Sequence, residues 1–106
     1  MIMIEKYKKV QQELYKKYNY YNNDSLSGDE LRKFENEYLR LLHKLNKEYF
    51  DNKLPFHNLT IKCLSFSQYF WIDEKQYNNF ELEQYLIDKY QPFMLKRKID
   101  RINGYN

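Results

Sequence analysis

The stretch Ser27-Gly28-Asp29-Glu30-Leu31-Arg32-Lys33-Phe34 opens the segment whose reading decides the fold. Ser27 and Glu30 have the S-x-x-E spacing of a capping box. The hydroxyl accepts from the Glu30 amide, and the carboxylate accepts from the Ser27 amide. Leu26 and Leu31 flank the box as a hydrophobic staple. From there Leu31, Phe34, Tyr38, Leu41, Leu42, Leu45 and Tyr49 recur every three or four residues, the period of one helix face. Asp51-Asn52-Lys53 is a turn signal, and Pro55 disfavours α backbone at Leu54. The spacing therefore predicts a helix over 27–50.

On the N-terminal side, Ile4, Tyr7, Val10, Leu14, Tyr18 and Tyr21 keep the same period and predict a helix over 2–21. Asn19 to Ser25 ends it, because Asn, Asp and Ser side chains compete for backbone hydrogen bonds. Two helices joined by a short polar loop pair antiparallel. On the C-terminal side the period changes. Leu59, Ile61 and Cys63 alternate, and Gln68-Tyr69-Phe70-Trp71-Ile72 is a second strand signal, with Ser67 in the connection. This predicts a β ribbon over 59–72. Asp73 to Asn79 is polar and is expected to be loop. Helices follow over 80–103: Phe80–Tyr90 with Asn79 as N-cap, then Phe93–Asn103 after a break at Pro92, with Gly104 as the residue beyond its end. The expected architecture is a single domain over 1–106, α+β and mainly helical. It consists of a long antiparallel helical hairpin, a short two-stranded β element and two C-terminal helices.

Composition narrows the function. The chain has 106 residues and a net charge of +3, and no apolar run approaches the ~20 residues of a membrane span. Its start lacks the apolar core of a secretion leader, so a cytoplasmic protein with no membrane partner is expected. The single cysteine, Cys63, excludes an intrachain disulfide framework and a zinc site built on several thiolates. Lys, Asn, Ile, Tyr and Phe supply 51 residues, while alanine is absent. These five are written by A/T-dominated codons, which points to an AT-rich source such as a phage or mobile element.

Leu45-Asn46-Lys47-Glu48-Tyr49-Phe50-Asp51-Asn52-Lys53-Leu54-Pro55, followed by Leu59-Thr60-Ile61, resembles the segment that opens SprT-like metalloprotease domains. The resemblance covers residues 45–66 and implies a helix ending in phenylalanine, an Asp/Asn turn, and Leu-Pro leading into a first strand. What makes that family an enzyme is H-E-x-x-H, two zinc-binding histidines with a glutamate base. This chain has only His43 and His57, and neither stands in that motif. The resemblance thus implies a scaffold without zinc or proteolysis.

Other enzyme signatures are missing: there is no phosphate-binding glycine loop and no G-x-S-x-G elbow. Cys63 sits in an apolar strand pattern, the environment of an inert buried thiol. The expectation is a non-enzyme with no cofactor and no metal. What remains is surface. Tyr15, Tyr20, Tyr69, Phe70 and Trp71 are the aromatic residues left over from the proposed buried faces. Phe70 and Trp71 are adjacent, so on a strand one faces the core and the other faces outward. Lys96, Arg97, Lys98 and Arg101 form the one concentrated basic site, suited to helix capping or to phosphate and acidic contacts.

The primary reading is a small interaction protein that binds and inhibits a host protein or nucleoprotein, as anti-CRISPR and other anti-defence factors do. One alternative is a nucleic-acid-binding module that uses the basic tail and the Lys/Tyr face of the first helix. The other is a degenerate SprT-like scaffold. The apolar faces of both helices would serve a homodimer equally well.

Overall fold

The computed structural model describes residues 2–18, 28–64 and 67–102, with the backbone alone at 64, 67, 94 and 96–102. The elements are α1 (Ile2–Lys17), α2 (Gly28–Phe50), a 3-10 turn at Phe56–Asn58, β1 (Thr60–Leu64), β2 (Ser67–Ile72), β3 (Lys75–Asn78) and α3 (Asn79–Ile102). The mainly helical α+β class is as expected. The capping residue Ser27, the end of the first predicted helix after Tyr18, and Gly104 lie outside the described residues.

α1 and α2 pack against each other, and most of the apolar period predicted for α2 is buried, with Leu31 and Tyr49 half-buried against the core. Phe34, Tyr38, Leu41, Leu42, Leu45 and Phe50 are all buried. α1 buries a stripe shifted from the expected one: Met3, Tyr7, Gln11, Leu14 and Tyr15. The polar ends on that stripe find partners inside. The Tyr7 and Tyr38 hydroxyls lie 2.5 Å apart, and Gln11 Nε2 donates to the Tyr38 hydroxyl at 2.6 Å. Burial pushes both tyrosine hydroxyls well above their ordinary pKa, so they stay protonated.

α2 ends on a clamp. Asn46, itself buried, donates from Nδ2 to the Leu54 carbonyl (3.2 Å) and accepts the Leu54 amide on Oδ1 (3.0 Å). Its carbonyl also accepts the Asn52 amide (2.9 Å). Asp51 and Asn52 take positive φ, the left-handed conformation that Asn and Asp tolerate, and this reverses the chain towards β1.

The β element has three antiparallel strands in the order β1-β2-β3, not two. Ser67 opens β2 rather than lying in the connection. The segment expected as a polar loop is a two-residue turn, Asp73-Glu74, with φ of 49° and 69°, followed by β3. Both central residues at positive φ make this the primed hairpin turn whose twist matches its strands. α3 begins on a capping box one residue earlier than expected. Asn78 Oδ1 accepts the Glu81 amide (2.8 Å) and Glu81 Oε1 accepts the Asn78 amide (3.0 Å).

α3 is one helix, not two, and it runs through Pro92. Pro92 and Asp88, one turn back, both lie on the exposed side. The Asp88 carbonyl that loses its amide partner therefore faces water, which lowers the cost of an interior proline. On either side of the break expected there, Tyr90 and Phe93 stay packed on Phe50, with ring centroids at 5.6 and 5.8 Å. Those contacts hold both sides of the proline to the same core.

Candidate functional site: the uncovered face of the sheet

Strand alternation and register divide the sheet into two faces. Ile61, Phe70 and Tyr77 stand in line across the strands on one face, with Cys63 and Gln68 paired beside them. This face meets the helices. Phe70 is fully buried, with its ring 5.3 Å from Tyr38, and Ile72 and Cys63 are buried too. Gln68 is 1% exposed and its Oε1 accepts the Tyr15 hydroxyl at 2.9 Å. Tyr15 in turn accepts Asn79 Nδ2 at 3.3 Å, which ties α1, β2 and α3 together.

The opposite face carries two lines across the strands: Thr60, Trp71 and Gln76, then Lys62, Tyr69 and Asn78. No described helix covers it. Tyr69 and Trp71 are half-buried, and the four residues around them are exposed. The two rings are thus the centre of a polar-rimmed patch, the residue types over-represented at interface hot spots.

Both free edges of the sheet are occupied in part. Glu35 on α2 accepts the Cys63 amide at 2.8 Å on β1, and the Asn78 amide at the end of β3 is taken by Glu81. Such plugs discourage an incoming strand, which leaves the face, rather than an edge, as the open surface.

Four of the expected binding residues find different places. Tyr15 and Phe70 are core residues and are corrected accordingly. Tyr15 is 7% exposed, stacks on Phe34 at 5.9 Å, and spends its hydroxyl inside. Phe70 takes the inward position of the adjacent pair and Trp71 the outward one. Tyr69 and Trp71 are brought together on the open face. Tyr20 lies outside the described residues. Lys96, Arg97, Lys98 and Arg101 belong to the last turns of α3, and their side chains lie outside the described residues. His43 and His57 are exposed, and Cys63 is buried.

Two other surface features carry less. A slot of about 210 Å³ between α1 and α2 has Val10, Leu14, Leu41 and Leu45 in its lining. Its acids are already engaged: Glu48 with Lys6, and Glu37 with Lys17 at 2.7 Å. Those hydrogen bonds hold both carboxyls below their ordinary pKa. Beside α3, Phe80 is 74% exposed next to Tyr77 and Tyr85. The ammonium groups of Lys75 and Lys89 sit over those two tyrosine rings at 5.2 and 5.6 Å and cover them. Among the described residues no group of three or more His, Cys, Asp or Glu is placed to hold a metal ion. No described helix is long and apolar enough to cross a membrane.

In comparisons with protein-family models, curated proteins and solved structures, nothing matches this chain.

Proposed function

We propose that the chain is a non-catalytic interaction protein that docks a protein partner on the open face of its sheet. The observation that carries this reading is the placement of Tyr69 and Trp71, two large rings side by side with no described helix over them, on a strand whose alternate residues are core. A tryptophan left half-exposed gives up part of its burial energy, which a partner recovers on docking. The size, the composition and the missing catalytic motifs suit an inhibitor carried by a phage or mobile element and acting on a host protein. The charge of the face favours protein over nucleic acid. It holds one cation, Lys62, while Asp73 and Glu74 stand at the Trp71 end. A phosphate-tracking groove needs several cations in a row.

The test is capture of a partner from host lysate by the immobilised protein, with and without nuclease. Replacing both rings, Tyr69→Ala with Trp71→Ala, is expected to abolish capture while the protein stays folded, with its melting temperature lowered by about 10 °C. Capture that disappears with nuclease, or that survives loss of both rings, overturns the reading.

A further inference from the structure

Building on the sheet face as docking surface, we propose that the partner places an arginine side chain on the indole of Trp71, between the carboxylates of Asp73 and Glu74. Trp71, Asp73 and Glu74 line one depression of about 440 Å³, together with Thr60 and Asn58. Two carboxylates at a turn would by themselves be a solvated hairpin tip. Here they border the one tryptophan of the chain, on the face left open by the packing. Among the described residues neither Asp73 nor Glu74 is in an ion pair. The ammonium of the adjacent Lys75 lies over Tyr77, a ring of the helix-facing side, and does not line the depression. Lys62 stands further along the face, paired with Tyr69 rather than Trp71. The lining of the depression thus holds two carboxylates and no cation, in a chain of net charge +3.

The chemistry of the lining selects the guest. A cation is attracted to the face of an indole more than to any other side-chain ring. A guanidinium stacks flat on that ring and still directs its edge N–H groups at carboxylates, which an ammonium does with less geometric fit. The Thr60 hydroxyl and Asn58 amide supply neutral acceptors at the same rim. A bare metal ion is poorly served, since two carboxylates and an indole offer it too few hard ligands.

The single tryptophan makes the test direct. The purified chain is titrated with acetyl-Gly-Arg-Gly-amide while Trp71 emission is followed. The citrulline peptide, uncharged but of nearly the same shape, is the control. The expected result is a saturable change with the arginine peptide, at least fivefold weaker with citrulline and at least fivefold weaker in Asp73→Asn/Glu74→Gln. Both replacements keep side-chain size, and Asn is at ease at the positive φ of position 73. Equal responses to the two peptides, or no response, overturn the proposal without any variant. If partner capture still depends on Tyr69 and Trp71 but is indifferent to Asp73 and Glu74, the docking face stands and the arginine site falls. If capture ignores both pairs, both readings fall.

Discussion

One strand carries two opposite outcomes. Along β2, Gln68, Phe70 and Ile72 lie against the helices and are buried, while Tyr69 and Trp71 point the other way and stay half-exposed. The residues are neighbours and chemically alike, so composition does not separate them. Position in the pleat does. The comparison shows that an aromatic-rich sequence has to be sorted by facing before any ring is assigned to a partner.

The sharpest way to break this comparison is to truncate the inward ring. Phe70→Ala removes a fully buried side chain packed on Tyr38 and is expected to cost about 3–5 kcal/mol, read from urea unfolding. A loss under about 1 kcal/mol would mean that Phe70 is not core.

The next effect tests the helix side by pH. Tyr7 and Tyr38 are held protonated in the fold, with pKa values raised by burial, and Tyr85 is pushed up to about 12 by the same cause. An unfolded tyrosine releases its proton near pH 10, so above that point the unfolded chain binds fewer protons than the folded one. Stability is therefore present in full below about pH 10 and falls as pH rises, by about 1.4 kcal/mol per pH unit for each such tyrosine. Urea midpoints that are level from about pH 8 to 9 and drop above 10 are expected. A flat profile to pH 11 would remove these hydroxyls from the interior.

On the open face, Trp71→Ala alone should cost only about 1 kcal/mol in the free protein, the scale of cross-strand pairs with Thr60 and Gln76. A cost near that of Phe70→Ala would place the indole in the core.

The smallest effect has the opposite sign. Glu74 sits at a φ of 69°, where a side chain costs roughly 1 kcal/mol and glycine costs little, so Glu74→Gly should raise stability by up to about 1 kcal/mol. The same change removes a carboxylate from the depression beside Trp71 and should weaken arginine binding. A variant more stable but poorer at binding is a trade-off often seen where a strained residue serves a site.

These particulars also show how far the residue pattern can be followed. The helix over 27–50 was legible because every buried position of α2 except Asn46 is a large apolar or aromatic residue at helical spacing. β3 was not legible, since Lys75-Gln76-Tyr77-Asn78 is an edge strand with one half-buried residue and its turn is Asp-Glu rather than Asn-Gly. The continuity of α3 through Pro92 was hidden for another reason. It depends on Tyr90 and Phe93 both reaching Phe50, a tertiary contact with no local signal. Tyr15 was misplaced because it lies off the stripe predicted for α1, whereas the stripe actually buried includes it and Gln68 and Asn79, more than fifty residues away, satisfy its hydroxyl. The open face was half legible: pleat alternation required one of Phe70 and Trp71 to point outward, and only the register with β1 and β3 says which neighbours it keeps.

The central claim is that the Trp71 face is open in the free chain and closed by its partner. Acrylamide quenching of the single tryptophan, measured before and after the captured partner is added, tests it most directly. Efficient quenching of the free protein and strong protection in the complex are the predicted results. Protection already present in the free chain, or quenching unchanged by the partner, would contradict the account.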